Sequence, residues 1–310
     1  MRCYAAPMEG ITGYIYRNAH HRSFYGIDKY FTPFLTPKPK KDLNTREKND
    51  ILPGHNRDIP VVPQILTNRA DDFIRLAGFL EQQGYEEVNL NLGCPSGTVV
   101  AKGKGSGFLA EPEKLGKFFE DIFSSVHVKV SVKTRLGMED PREIVDLIKL
   151  YNEFPISEVI IHARVRNDYY RKPVNREAFR NAVSLSRHPV CYNGDLFTPQ
   201  DIENFRKEFP EIGCVMLGRG MIANPGLCEC ISGRENDDRL RWKDFLEEIC
   251  VGYEEIMSGE KNVLFKMKEI WSYMMYYFPG KEKYGKKIKK AKNLCEYQNA
   301  VNALFKEMNV

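Results

Sequence analysis

The stretch Glu87-Val88-Asn89-Leu90-Asn91-Leu92-Gly93-Cys94-Pro95 opens as a strand-like run and breaks into a polar, glycine-containing pentad with one thiol. Similar runs, rich in aliphatic and β-branched residues and bounded by turn or helix-start signals, recur near 2–6, 28–32, 60–66, 128–134, 158–162, 189–193 and 213–217. Amphipathic stretches of helical length lie between most of them, for example 69–83, 112–124, 141–154 and 199–209. Three of these carry proline at or near the first turn. Eight strand–helix alternations predict an α/β fold, a parallel (β/α)8 TIM barrel. A doubly wound open sheet is the competitor, and the strand count argues against it. The connection 35–58 is long, polar and rich in lysine, proline and asparagine, which predicts a βα excursion near the site or a mobile loop.

Beyond about residue 235 no strand signal remains. Trp242, Phe245, Leu246, Ile249, Tyr253, Ile256 and Met257 recur at helical spacing, followed by stripes at Met267, Ile270, Trp271, Met274 and Phe278 and at Leu294, Tyr297, Val301, Leu304, Phe305 and Met308. The expected division is a barrel at 1–235 and a small all-helical C-terminal domain at 236–310, with the stripes as its core. The run 281–292 holds seven lysines against one glutamate, a cluster that favours a polyanion such as nucleic acid, unless it is simply a solvated helix start.

With 42% hydrophobic and 28% charged residues, the 310-residue chain reads as globular. No apolar stretch approaches the roughly 20 residues of a membrane span, and the N-terminus lacks the apolar core of a signal peptide. The expectation is a cytoplasmic monomer with no membrane partner. The eight cysteines are scattered without the CxxC pairs of a zinc site, so neither a metal centre nor a disulfide framework is expected. Cys94 stands apart because its neighbours are polar and glycine-rich.

A parallel barrel gathers the C-terminal ends of its strands on one face, where chemistry is done. The ends here carry Pro7, Met8 and Glu9; Gln64; Asn91 and Cys94; Lys133 and Arg135; His162 and Arg164; Asn193, Gly194 and Asp195; and Gly218 and Arg219. Singly, each has a bland reading as a turn or a satisfied polar residue; together they line one mouth. The glycines after the last two strands allow backbone N–H groups to approach a phosphate, and Arg219 adds a bidentate donor. Gln64 suits the edge of a heterocycle, and Lys133 can set a positive charge beside a ring that becomes anionic on reduction. The segment Gly103-Lys104-Gly105-Ser106-Gly107 is not a dinucleotide fingerprint and reads as a flexible, basic substrate loop.

Five motifs now stand in order: Ala6-Pro7-Met8-Glu9-Gly10-Ile11-Thr12, Asn91-Leu92-Gly93-Cys94-Pro95, Val132-Lys133-Thr134-Arg135-Leu136-Gly137, Asn193-Gly194-Asp195 and Met216-Leu217-Gly218-Arg219-Gly220. Their order and spacing resemble the tRNA-dihydrouridine synthases. The resemblance implies a flavoprotein with non-covalent FMN, reduced by NADPH, that saturates the C5–C6 bond of uridine in tRNA, with ribosomal RNA kept open as carrier. It implies that Pro7, Met8, Glu9, Gln64, Lys133, His162, Asn193, Gly194, Asp195, Gly218 and Arg219 hold FMN, that Cys94 donates the proton to C5, and that Asn91 orients the uracil, with Arg135 and Arg164 as further substrate contacts. The sequence departs from the family pattern at His162-Ala163-Arg164-Val165, where a threonine hydroxyl is lost. Two other readings keep parts of the pattern: a flavin barrel reducing or oxidising a free pyrimidine, like dihydroorotate dehydrogenase, and a Schiff-base lyase with Lys133 as nucleophile. The first has no need of a basic helical appendage, and the second leaves Asn91 and Cys94 unused. A non-catalytic RNA-binding relic would leave the whole proton-donor and cofactor set without a purpose.

Overall fold

The computed structural model describes residues 1–38, 43–233 and 239–308. Among the described residues nine strands form, all parallel: β1 (Arg2–Ala5), β2 (Lys29–Phe31), β3 (Val61–Val62), β4 (Gln64–Ile65), β5 (Glu87–Leu92), β6 (Lys129–Arg135), β7 (Val159–His162), β8 (Val190–Asn193) and β9 (Cys214–Leu217). Their lateral order is β3-β2-β1-β9-β8-β7-β6-β5-β4. β3 and β4 are two halves of the run expected at 60–66, interrupted at Pro63, which has no N–H to give a ladder. The two ends of the order are therefore consecutive in the chain and the sheet closes on itself. Leu35, bridged to Ile65, extends the β2 side of that seam. The eight expected strands are all present, and the fold is a TIM-type barrel.

Two apolar layers hold it together. Tyr4, Ala6, Phe31, Val62, Ile160, Cys191, Cys214 and Met216 fill the barrel interior as one small cluster. Val88, Leu90 and Leu92 point the other way along β5 into a far larger cluster beneath the surrounding helices. Alternation along a strand produces this division, since successive side chains take opposite faces. The helices obey their local signals: Pro112–Phe123 and Pro199–Glu208 both start on proline, and Thr198 caps the second through a reciprocal bond with Asp201.

The C-terminal region is helical throughout its described residues: Arg239–Ile256, Glu260–Met274, Glu282–Lys290 and Leu294–Glu307, with a 3-10 turn at Met275–Tyr277. The boundary expected at 235/236 lies outside the described residues. The large apolar cluster runs from the barrel's helices into these without a break. Phe245 packs edge-on to Tyr16 of the helix Tyr14–Ser23, and Gly252 lies so close to Ile15 that an added Cβ would sit 2.9 Å from it. The three expected stripes are buried up to Tyr253 in the first, where Ile256 is exposed and Met257 half-buried, and up to Phe305 in the third, where Met308 is half-buried.

The 35–58 excursion is anchored where it is described. The helix Thr45–Ile51 begins with a capping box between Asn44 and Glu47. Fully buried Arg17 donates to the Asp50 carbonyl at 2.7 Å and to Asn56 Oδ1 at 2.9 Å. Arg46, on the same helix, pairs with Glu9 at the mouth of the barrel.

Candidate active site

A cavity of about 550 Å³ opens at the C-terminal ends of the strands. It is lined by Pro7, Met8, Glu9, Gln64, Asn91, Cys94, Lys133, Arg135, His162, Asn193, Gly194, Asp195, Gly218 and Arg219, which are the expected site residues with one exception. Arg164, expected as a substrate contact, does not line it. Its buried guanidinium turns behind His162, donating to the Lys172 carbonyl at 2.6 Å and pairing with Asp195.

Each element contributes by a local cause. After β5 the chain turns at Gly93, and Asn91 Oδ1 accepts from the N–H groups of Gly93 at 3.1 Å and Cys94 at 2.9 Å, which sets the thiol at the rim. The glycine-rich segment expected to be a flexible substrate loop supports this turn instead. Gly105–Ala110 forms buried 3-10 turns, and the Ser106 N–H and hydroxyl both donate to the Cys94 carbonyl, at 3.1 and 2.9 Å. Gly105 has φ +57, and a Cβ there would lie 2.9 Å from the same carbonyl, so glycine is required. Burial raises the pKa of the Cys94 thiol, partly offset by the Ser96 N–H and the Arg135 charge, and the group is protonated at neutral pH.

β6 delivers two cations. Lys133 Nζ donates to Asn193 Oδ1 at 3.0 Å, and burial together with the neighbouring Arg135 charge lowers its pKa to about 8. Arg135 joins the loops after β5 and β7, with Nε on the Gly93 carbonyl at 2.8 Å and Nη1 on the carbonyls of Val165 at 2.9 Å and Tyr169 at 3.0 Å. Its Nη2 is buried with no hydrogen-bond partner among the described residues. His162 is neutral, since burial and then the charges of Arg135, Lys133 and Arg164 drive its pKa well down. Arg164 can only donate, so the 3.1 Å contact with His162 Nε2 puts the ring proton on Nδ1.

After β8, Gly194 has φ +149 and Asp195 φ +36, a conformation an aspartate rarely takes. What holds it is charge: Asp195 pairs with Arg164 and accepts from Arg219 Nη2 at 2.7 Å. A Cβ on Gly220 would collide with the Leu196 carbonyl, so the loops after β8 and β9 are in backbone contact beside Arg219.

Four aromatic residues on the cavity wall were not expected, one of them Phe34 from the segment after β2. Tyr170 follows Tyr169, itself at φ +50, and lies over Arg219 at 4.8 Å and Arg135 at 5.4 Å. Phe197 flanks Arg219 at 5.3 Å, and Tyr273 arrives from the C-terminal helix Glu260–Met274. The Tyr169-Tyr170 pair within an arginine-rich loop was the one local signal for them. Lys266 of that helix also donates to the Gly10 carbonyl at 2.6 Å, so the helical region borders the mouth directly.

Fold and cavity together define a parallel-barrel enzyme whose site combines a protonated thiol, three cations and a neutral histidine at the strand ends. The chain belongs to the dihydrouridine synthase family, whose model matches residues 4–309. A tRNA-dihydrouridine(16) synthase of Cupriavidus necator is 30% identical over 75% of this chain and 74% of its own length. A tRNA-dihydrouridine(16) synthase of Neisseria meningitidis serogroup B is 26% identical over 99% of this chain and 96% of its own. Among solved structures, morphinone reductase superposes with a TM-score of 0.53 over 78% of this chain and 88% of its own, at 11% identity, a likeness of fold alone.

Proposed function

We propose that this protein reduces the C5–C6 double bond of a uridine in tRNA to 5,6-dihydrouridine, using FMN that NADPH reduces. Family membership and the names of the relatives support the product and the carrier. The observation that carries the chemistry is a protonated, partly buried thiol sharing one cavity with Lys133, His162 and Arg219.

The residues fit a flavin mononucleotide. The loops after β8 and β9 are in backbone contact beside Arg219, and this meeting point would hold the phosphate. Pro7, Met8 and Glu9 follow β1, the neighbour of β9, and a Cβ on Gly218 would lie 3.5 Å from Met8 Sδ; with Gln64, Lys133, His162, Asn193, Gly194, Asp195, Gly218 and Arg219 they would hold the cofactor. When bound and reduced, FMN would supply the hydride for uracil C6. Lys133 then offers positive charge to the ring region, and the unpartnered Arg135 Nη2 is a donor for a substrate oxygen. Asn91 orients the uracil. Cys94 Sγ–H gives its proton to C5; a thiol that stays protonated suits an acid, whereas a nucleophile needs the opposite shift. In this reading Arg164 is a positioning residue, holding His162 in its neutral tautomer.

The segment 236–310 is proposed as the RNA-binding domain. Within the helix Glu282–Lys290, Tyr284 and Ile288 are buried while Lys286, Lys287, Lys289 and Lys290 are exposed. Lys281 and Lys283 are instead paired with Glu307. Phosphate contacts from the exposed four would offset the few kcal/mol, in order of magnitude, of unstacking the target base.

The deciding experiment is the visible spectrum of the purified protein with and without NADPH under anaerobic conditions, followed by nucleoside mass spectrometry of an unmodified tRNA transcript. Flavin bands that bleach, and dihydrouridine in the product, are expected, with position 16 mapped first because relatives are named for it. A protein that neither carries nor takes up FMN refutes the proposal.

A further inference from the structure

Glu87, Asn89 and Asn91 alternate along β5 with the outward Val88, Leu90 and Leu92, so the three polar side chains share the barrel interior. Strand register sets Ser131 beside Asn89 on one side and Gln64 on the other. A continuous hydrogen-bonded chain results. Lys29 Nζ and Ser131 Oγ donate to the two Glu87 oxygens at 2.6 and 2.7 Å. Asn89 Nδ2 donates to Ser131 Oγ at 2.9 Å, and Gln64 Nε2 to Asn89 Oδ1 at 2.8 Å. Asn91 Nδ2 donates to Gln64 Oε1 at 2.7 Å, and Asn91 Oδ1 accepts the two N–H groups of the Cys94 turn. Gln64, Asn89 and Ser131 are fully buried.

Every link runs the same way. An amide side chain can be turned over, so its polarity is set by what lies at the ends of its chain. Here one end is a carboxylate, which accepts from Lys29 and Ser131, and the other is backbone N–H, which only donates. With the Ser131 hydrogen committed to Glu87, its oxygen must accept, which fixes Asn89, then Gln64, then Asn91. The valences of Asn91 can then be counted. Its oxygen serves two N–H groups and one of its amide hydrogens serves Gln64, so a single N–H is left for the cavity.

Resting on the dihydrouridine synthase reading above, we infer that Glu87, Ser131 and Asn89 are positioning residues that make Asn91 a donor-only contact. None of the three lines the cavity. The site therefore selects a ring presenting a carbonyl oxygen at that point over one presenting an amino group, uracil over cytosine. A donor facing a donor loses a hydrogen bond and desolvates both groups, which gives discrimination on the order of a hundredfold.

The test is a double-mutant cycle on the FMN-loaded full chain, with dihydrouridine formation on an unmodified tRNA transcript followed under single-turnover conditions so that slow variants remain measurable. Ser131→Ala and Glu87→Met are each expected to lower the rate about tenfold when Asn91 is present, and less than about twofold in an Asn91→Ala background. Glu87→Gln keeps an acceptor for Ser131 and is expected to recover most of the Glu87→Met loss. Equal losses in both backgrounds would mean general weakening of the barrel and would overturn the inference, as would the absence of any loss. A wild-type enzyme that takes up FMN yet forms no dihydrouridine would remove the functional reading and this role together. Wild-type activity with uncoupled variants would remove this role alone.

Discussion

Replacing Asp195 with asparagine keeps the shape of the side chain and removes one charge. Two guanidiniums depend on that charge: Arg164, whose side chain is 2% exposed, and Arg219, which is 27% exposed. Two unit charges about 4 Å apart at an effective dielectric near 20 interact by about 4 kcal/mol, and breaking a buried pair by removing one partner costs about 3–5 kcal/mol. Asp195 is itself 30% exposed, so water recovers part of the loss and the lower end applies, about 3 kcal/mol. In a chain of this size that corresponds to a fall of about 5 °C in melting temperature. The assay is thermal unfolding of cofactor-free wild type and Asp195→Asn at low and high salt. Because Arg164 is out of water, the difference should survive high salt. The surface pair Lys149–Asp146, with 65% and 83% exposure, supplies the control: Lys149→Gln should cost under about 1 kcal/mol, and salt should erase it. A melting temperature for Asp195→Asn within about 1 °C of wild type would refute the assignment of Asp195 as the counter-charge that holds the loop after β8.

Cys94→Ala should leave FMN reduction by NADPH intact while slowing dihydrouridine formation by at least about a hundredfold, read by stopped-flow absorbance and nucleoside mass spectrometry; full product yield would take Cys94 out of the acid role. His20 is buried between the Tyr30 hydroxyl and the Pro225 carbonyl, and burial lowers its pKa to about 4. The unfolded chain binds this proton from about pH 6.5 downward and the folded chain only near 4, so stability is lost as pH falls through that window, by about 3 kcal/mol in all. Urea titrations from pH 7 to 4 should show this slope flattened in His20→Gln, and an unchanged slope would assign the acid sensitivity elsewhere. Neutralising Lys286, Lys287, Lys289 and Lys290 together should weaken tRNA binding and reduce the slope of log affinity against log salt by about three; unchanged binding would return that helix to a solvated face.

Much of the site was legible because strand ends are local signals. A β-branched or aliphatic run followed by a polar turn marks both the strand and the residue at its mouth, and a parallel barrel needs no further information to bring such residues together. This is why Gln64, Asn91, Cys94, Lys133, His162, Asn193 and Arg219 all line one cavity, as their positions in the chain implied. The stripes beyond 235 were legible for the same reason, because helical period is written in the order of residues.

What tertiary structure alone decided is where a side chain turns once it reaches the mouth. Arg164 and Arg135 both occupy strand ends, yet Arg164 is drawn away by Asp195, 31 residues further on, and Arg135 is left with a free donor. The glycines at 103–107 look like a mobile loop in one dimension; in the fold Gly105 packs against Cys94 and Gly107 against Val100, with no room for a side chain at either. Tyr273 reaches the cavity from a helix that has no sequence relation to the strands. The polarity of the chain from Glu87 to Asn91 is the clearest case. Alternation along β5 put its polar residues on one face, but the direction of every amide depends on partners from β4 and β6, and hydrogen-bond direction is a property of the closed network rather than of any residue in it.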